Sequence, residues 1–185
     1  RSTCQRDGLA HHRFVFVHAN HPRQEAVRNS GRIGRKRGNL FRTSGLSLKM
    51  PTRPKPQHAA LLIIDVINDL AFPGGEDVLP WAMKMTPRLE KLRPAAHRAG
   101  LPVIYANDNF GLWQGDFHAI VKHCTRRNAP GRSMARRLRP RPSEYFVHKP
   151  KHSAFFSTSL VPLLEHLQTR TLILVGIATN LCVMF

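Results

Sequence analysis

Cysteine is scarce in this chain, with three in 185 residues. Cys4, Cys124 and Cys182 have neither the close pairing of zinc ligands nor the even number of a disulfide framework. This excludes a zinc finger and favours a reducing, cytoplasmic compartment. Long apolar runs are missing too, because the longest are of strand length, far below the roughly 20 residues that a membrane helix needs. The sequence therefore predicts a soluble cytoplasmic protein without a membrane partner.

Acidic residues are also few, 11 against 29 lysines and arginines, which gives a formal net charge of +18. Half of this excess lies in residues 1–49, which hold 11 basic and 2 acidic residues. Such a charge can attract nucleic acid, but the basic runs at 31–38 and 126–141 lack interleaved aromatic residues and any known groove-reading module. The seven arginines within 126–141 could attract an anionic substrate or a neighbouring subunit, although a solvated helix and loop is the favoured interpretation.

Residues 1–57 are predicted to be a basic, disordered extension without a packed element. Their one compact apolar patch is residues 14–17. Met50 opens a proline-rich leader and is the predicted natural start of the protein, which would make residues 1–49 upstream sequence or a dispensable extension. Residues 58–185 then form one domain, with enough apolar residues for a core.

From residue 59 onward, strand-like and helix-like segments alternate. The predicted strands are 59–66, 101–106, 145–149 and 172–175, and the predicted helices are 77–100, 118–127 and 157–167. In the first helix we expect Asp77 as the cap and Pro80 in the first turn, and Pro87 and Pro94 should kink or divide it. Residues 107–115 are predicted to be a polar loop. The alternation predicts a three-layer α/β/α fold with a mainly parallel, Rossmann-like sheet.

Three predicted strands deliver a reactive side chain to one edge of the sheet: Asp65, Lys149 and, just past the last strand, Cys182. Together they could perform nucleophilic catalysis, in which a thiolate attacks, a carboxylate exchanges the thiol proton and an ammonium stabilises the thiolate. A helix beginning near Cys182 would favour the thiolate through its unpaired N–H groups. Each residue also has a structural interpretation, because Asp65 could cap a loop, Lys149 could extend its stem to solvent and Cys182 could be core. Their shared location favours catalysis.

Three segments in this order resemble the isochorismatase-like cysteine hydrolases, a family that includes nicotinamidases and related amidohydrolases. Residues 61–69, Leu-Leu-Ile-Ile-Asp-Val-Ile-Asn-Asp, are similar to the family's opening strand with its catalytic aspartate, although Ile67 stands where glutamine is common. Residues 149–155, Lys-Pro-Lys-His-Ser-Ala-Phe, resemble the segment of the catalytic lysine, and their register selects Lys149 over Lys151. Residues 176–183, Gly-Ile-Ala-Thr-Asn-Leu-Cys-Val, resemble the nucleophile segment.

The resemblance implies a catalytic triad of Asp65, Lys149 and Cys182. It implies cleavage of the C–N bond of a small-molecule amide through a covalent thioester, with a vinyl ether as the less favoured substrate. It also implies a cis peptide bond between Ile177 and Ala178 beside the oxyanion site. The expected substrate pocket is lined by Phe72, Asn109, Trp113 and Phe156.

Two features depart from the family pattern. Nicotinamidases bind a metal through an Asp-x-His pair and a further His after the second strand, whereas this chain has Asn107-Asp108-Asn109 and no nearby His before His118. We therefore predict no metal and no other cofactor, and nicotinamide is a disfavoured substrate. The family continues past the nucleophile, so a chain ending at Phe185 is predicted to be a C-terminally truncated member, for which a family-like homo-oligomer is a further expectation. The alternatives are an inactive fragment of that family and a basic nucleic-acid-binding protein.

Overall fold

The computed structural model describes residues 58–114 and 116–183, together with the backbone of residues 13–16. The predicted start at Met50 lies outside the described residues. The strands are β1 (Arg13–Phe16), β2 (Ala59–Ile64), β3 (Val103–Asp108), β4 (Tyr145–Lys149) and β5 (Thr171–Gly176). The helices are α1 (Gly75–Arg98), α2 (Phe117–Cys124), α3 (Arg132–Arg137) and α4 (Leu160–His166), and a π-helical turn, Thr179–Val183, follows β5. None of these described helices has the length and apolar character needed to cross a bilayer.

The strands form one sheet in the order β1-β5-β2-β3-β4, and every neighbouring pair is parallel. β2 lies at the centre, where Leu61 is opposite Ile173 of β5 and opposite Val103 of β3. Because the strands are parallel, their carboxyl ends share one edge of the sheet. The predicted parallel α/β sheet is confirmed, and the segments that follow the strands meet at this edge.

Helices cover both faces of the sheet. All six residues of β2 are buried, and successive side chains point to opposite faces. Leu61 and Ile63 belong to one core with the buried residues of α1, α2 and α3, whereas Leu62 and Ile64 belong to a second core with the buried leucines of α4. The three-layer arrangement predicted from the sequence is therefore confirmed.

Helix α1 differs from its prediction in its start and its continuity. It runs unbroken for 24 residues with Pro80, Pro87 and Pro94 inside it, and its cap is Gly74 rather than Asp77. A proline inside a helix removes one hydrogen bond, but burial of a continuous helix face against a sheet outweighs this local cost. That buried face repeats at spacings of four and three residues: Ala82, Thr86, Leu89, Arg93 and Ala96.

Two strand boundaries also correct the sequence-based predictions. Residues 13–16 form β1, with Phe14 opposite Leu172, although no packed element is predicted in residues 1–57. A run of four residues is too short to show the alternation that identifies a strand, and here the edge of β5 supplies its hydrogen bonds. β3 continues through Asp108, which is opposite Lys149 of β4, so the expected polar loop begins later than predicted.

Gly176 ends β5 at a position that only glycine fits. Its φ is +148°, a value that side chains disfavour, and a Cβ there would clash with the backbone carbonyl of Ile64. The absence of a side chain thus lets the ends of β5 and β2 approach closely, where Gly176 is opposite Ile64. This approach brings the segment carrying Cys182 next to the segment carrying Asp65.

Candidate active site

Three side chains meet beyond the carboxyl ends of the strands. Asp65 directly follows β2 and has a left-handed φ of 52°, Lys149 is the last residue of β4, and Cys182 lies in the π-helical turn after β5. A non-glycine residue with this φ is uncommon and is found mainly where the surroundings fix it, as at functional sites. The structure therefore brings together the three residues that the sequence analysis singles out.

The ammonium group of Lys149 connects the other two side chains. Its Nζ lies 2.8 Å from Asp65 Oδ2 and 3.6 Å from Cys182 Sγ, and it donates to the backbone carbonyl of Lys151 at 3.2 Å. An ammonium has three N–H donors, so these three contacts occupy all of them. Lys149 is completely buried. Lys149 therefore does not extend its stem to solvent, and its charge is directed at the site.

Asp65 is a buried carboxylate with several partners. Its Oδ1 accepts a hydrogen bond from the backbone N–H of Asp108 at 2.8 Å, while Oδ2 faces Lys149. Burial raises the pKa of Asp65 above its ordinary value, and the charge of Lys149 together with hydrogen bonds from Lys149, Cys182 and Asp108 opposes this rise. Since the pKa remains raised, Asp65 accepts a proton more readily than an exposed aspartate does.

Cys182 is a half-buried thiol in the resting site. Burial, followed by the negative charge of Asp65 and the hydrogen bond with it, raises the pKa of Cys182 to about 11, although Lys149 acts in the opposite direction. Cys182 is therefore a thiol in the resting site, and the effect of a helix start on its ionisation remains a prediction. Cys182 is the fourth residue of the five-residue π-helical turn, and a carboxylate lies beside its sulfur. The thiol consequently needs a base within the site to take its proton.

The peptide bond between Ile177 and Ala178 is cis, at the position that the family resemblance implies. The N–H of Ile177 donates to the carbonyl of Ile64 at 3.1 Å, and the carbonyl of Ala178 accepts from the N–H groups of Leu181 and Val183 at 3.1 and 3.2 Å. These hydrogen bonds fix the segment that precedes Cys182. The oxyanion role of residues 177 and 178 remains a prediction.

One further side chain contacts the sulfur, and the sequence analysis does not single it out. Nδ1 of His152 lies 3.8 Å from Cys182 Sγ. His152 is exposed and lies three residues after Lys149, inside the segment that resembles the family's lysine motif. A histidine within a segment assigned to a catalytic residue is the sequence signal that could have drawn attention to it.

The four predicted pocket residues lie in different surroundings. Phe72, Trp113 and Phe156 are 42%, 76% and 65% exposed, respectively. Asn109 is buried, and its side-chain oxygen accepts a hydrogen bond from the N–H of Gly111 at 3.0 Å, so it stabilises its own loop. The contribution of all four residues to a substrate pocket remains a prediction.

An open cavity of about 560 Å³ lies on the arginine-rich segment. None of the three candidate catalytic residues lines it, so it is not the place where they could act on a substrate. Arg137 in its lining is paired with Glu90 at 2.6 Å. Within the described part of the chain, no three His, Cys, Asp or Glu side chains form a group that could hold a metal ion. The residues lining the cavity are Pro130, Arg132, Ser133, Arg136 and Arg137.

Comparison with known proteins identifies the family. Residues 59–185 match the family model of the isochorismatase domain, and this range includes all three candidate catalytic residues. The chain belongs to the isochorismatase family. Membership of this family identifies it as a hydrolase.

Two known proteins illustrate the similarity of the chain to its relatives. It is 42% identical over 126 residues to the isochorismatase family protein YaaI of Bacillus subtilis (strain 168), a match that covers 68% of each chain. It is 32% identical over 164 residues to the ureidoacrylate amidohydrolase RutB of Enterobacter sp. (strain 638), covering 72% of this chain and 71% of RutB. The chain thus spans about two thirds of the length of these relatives.

A solved structure supports the same fold. The cysteine hydrolase from Pseudomonas syringae pv. phaseolicola 1448A superposes with a TM-score of 0.53, at 23% sequence identity. The superposition covers 72% of this chain and 68% of that one. It confirms the isochorismatase-like α/β fold that the sequence predicts.

Proposed function

We propose that this chain is a cysteine amidohydrolase, which cleaves the C–N bond of a small amide through a thioester on Cys182. The observation that carries the proposal is the position of the buried Lys149 ammonium, in contact with the Asp65 carboxylate and with the Cys182 sulfur. The amide class is supported by the similarity to the ureidoacrylate amidohydrolase RutB. A catalytic triad of Asp65, Lys149 and Cys182 is part of the proposal.

The balance of charge supports proton transfer within the site. When the thiol of Cys182 loses its proton to solvent, two anions face the single ammonium of Lys149, which is unfavourable in a buried site. When the proton passes to Asp65 instead, Lys149 faces one anion before the transfer and one anion after it. The raised pKa of Asp65 and its hydrogen bond with Cys182 both favour this internal transfer.

The first half of the reaction forms the thioester. Asp65 takes the proton of the Cys182 thiol, the sulfur bonds to the amide carbon, and the carbonyl electron pair moves to oxygen. The tetrahedral intermediate then expels the nitrogen, which receives the proton that Asp65 holds. Lys149 stabilises the thiolate before attack, and N–H groups near the cis peptide are the proposed donors to the oxyanion.

The second half of the reaction hydrolyses the thioester. A water molecule adds to the thioester carbon and gives a proton to Asp65, and collapse of the intermediate breaks the C–S bond. The sulfur recovers its proton from Asp65, which restores the resting thiol. The net change is an amide and a water converted to an acid and an amine, with no external oxidant or reductant.

The decisive experiment replaces the nucleophile. Cys182→Ser should abolish release of amine from ureidoacrylate and related small amides, and mass spectrometry of the quenched unmodified enzyme should show an acyl group on the Cys182 peptide. Cys124→Ser is the matched control, because Cys124 donates to the carbonyl of Ile67, a bond that serine can keep. Amide hydrolysis that persists in a folded Cys182→Ser protein would rule out this function.

We also propose the cytoplasm as the compartment of this hydrolase. Cys124 and Cys182 are free thiols in the described part of the chain, and reduced thiols are typical of the cytosol. The proposed mechanism needs a reduced Cys182. Localisation of the tagged full chain by microscopy or fractionation would test this assignment.

A further inference from the structure

The Cys182 sulfur has a neighbour outside the triad. Its distance to Nδ1 of His152 is 3.8 Å, within the range of a hydrogen bond to sulfur. His152 is exposed, whereas Asp65 and Lys149 are buried. The sulfur is therefore approached by a carboxylate and an ammonium from the protein interior and by an imidazole that solvent can reach.

We propose that His152 is a second general base for Cys182, acting from the side of the sulfur that solvent reaches. This inference rests on the proposed function, because it assigns a further catalytic residue to the same nucleophile. A thiol has one proton to donate, so its hydrogen can be directed either at Asp65 or at Nδ1 of His152. Cys182 thus has two bases, the buried Asp65 and the exposed His152.

The hydrogen bonds around Asp65 favour a second base. Both of its oxygens already accept hydrogen bonds, from Lys149 and from the backbone N–H of Asp108. A proton transferred to Asp65 must compete with these two donors for the carboxylate oxygens. A neutral imidazole with its hydrogen on Nε2 offers the lone pair of Nδ1 directly to the thiol, and its exposed ring can exchange the proton with water.

The step is balanced in atoms and charge. Neutral His152 takes the thiol proton on Nδ1 while the sulfur electron pair forms the bond to the substrate carbon. The resulting imidazolium later gives this proton to the departing nitrogen or to water. In the resulting state Lys149 and the imidazolium are the cations beside the reacting centre, and Asp65 stays ionised, so the added positive charge is balanced by the oxyanion of the intermediate.

The charged groups around the sulfur define the expected pH dependence. Among the described residues, the titratable side chains in contact with Cys182 are Asp65 after β2, Lys149 at the end of β4 and His152 in the loop after β4. Burial and the neighbouring Asp65 raise the pKa of the thiol to about 11. Reactivity at neutral pH therefore requires a base in contact with the thiol, and Asp65 and His152 are the two bases that contact it.

The test measures alkylation of Cys182 by iodoacetamide against pH, read by mass spectrometry of its peptide, so no substrate is required. For the unmodified chain we expect measurable alkylation at pH 7.5, where a base in contact with the thiol takes its proton, and faster alkylation towards pH 11. His152→Gln should slow alkylation at pH 7.5 by about tenfold and leave the rate towards pH 11 unchanged. His166→Gln, which replaces an exposed histidine on α4, is the matched control and should be alkylated at the rate of the unmodified chain at both pH values.

The outcomes separate this inference from the proposed function. If His152→Gln is alkylated at pH 7.5 as fast as the unmodified chain, His152 is not a base for Cys182, whatever the hydrolysis assay shows. If Cys182→Ser retains amide hydrolysis, the proposed function fails independently of the alkylation result. A thermal melt of His152→Gln equal to that of the unmodified chain would exclude a folding defect as the cause of slower alkylation.

Discussion

At the residue scale, Asp65 has two opposing effects on Cys182. Its negative charge and its hydrogen bond raise the pKa of the thiol, yet its carboxylate is the proposed base inside the site. Asp65→Asn removes both effects and leaves Lys149 beside the sulfur. We therefore expect the high-pH half-point of Cys182 alkylation to fall below about 11, while amide hydrolysis slows by at least about 100-fold.

A lower half-point of alkylation combined with slower amide hydrolysis distinguishes a base from a structural residue. Both rates can be measured on one preparation, by peptide mass spectrometry for alkylation and by amine release for hydrolysis. Glu165→Gln is the control, because Glu165 is an exposed acid on α4. A half-point that stays at or above that of the unmodified chain would contradict the assigned influence of Asp65 on the thiol.

A second prediction at this scale concerns Lys149. Lys149→Met leaves Asp65 buried without its cation, so the pKa of Asp65 rises further and the ionised form becomes costly to the fold. We expect a loss of about 3–5 kcal/mol in the free energy of unfolding at pH 8. A carboxylate with a raised pKa in the folded state destabilises increasingly as pH rises from its unfolded value of about 3.9 through its folded value.

Urea unfolding of Lys149→Met at pH 4.5 and pH 8 would test this sign. The deficit relative to the unmodified chain should be smaller at pH 4.5, and Asp65→Asn in the same chain should restore part of the stability at pH 8. An equal deficit at both pH values, without rescue in the double variant, would show that lost packing of the lysine stem is the cause.

The sequence predicts which three side chains meet at the edge of the sheet, but not their protonation. Asp65, Lys149 and Cys182 stand out because each follows or ends an apolar strand. The resting state of Cys182 depends on how deeply the sulfur is buried and how close Asp65 lies, and neither quantity can be read from strand patterns. The contact with His152 depends in the same way on the path of an irregular loop.

At the scale of elements, the end of β5 depends on Gly176. Gly176→Ala would place a methyl group against the carbonyl of Ile64 and force alanine into a φ of +148°. We expect a loss of at least about 2 kcal/mol in the free energy of unfolding, together with slower alkylation of Cys182, because the segment that carries it must shift. Urea unfolding and the iodoacetamide assay measure the two effects.

Gly100→Ala provides the matched control for the steric part of this prediction. Gly100 also has a positive φ, +69°, but open space surrounds the position that its Cβ would take. The control should therefore lose only about 1 kcal/mol and leave the reactivity of Cys182 unchanged. Equal effects of the two substitutions would mean that the close approach of β5 to β2 does not hold the site together.

Helix α1 and strand β1 show why element boundaries are harder to predict than element types. The prolines of α1 suggest a divided helix, and only the buried stripe from Ala82 to Ala96 shows that packing holds it together. The four residues of β1 join the sheet only through their pairing with the edge of β5. In both cases the deciding interaction is distant along the chain, whereas the predicted strand types rest on local apolar runs.

At the scale of the whole molecule, the order of the strands assembles the site. The sequence predicts a parallel sheet but not which strands are neighbours. Because β5 pairs with β2, Gly176 is opposite Ile64 and Cys182 comes next to Asp65. β3 lies between β2 and β4, so Lys149 reaches Asp65 across the end of β3, where the N–H of Asp108 contacts the same carboxylate.

The net charge of +18 leads to a last prediction at this scale. A strongly basic molecule attracts anions to its surface, and salt screens this attraction over a distance of about 10 Å at 0.1 M. Alkylation of Cys182 by the anion iodoacetate, relative to neutral iodoacetamide, should therefore fall several-fold between about 0.02 M and 0.5 M salt. The same ratio measured on free cysteine corrects for the reagents. A corrected ratio that does not change with salt would show that the charge of Asp65 at the sulfur cancels the effect of the net positive charge. Anionic amides would then gain no advantage in reaching this nucleophile.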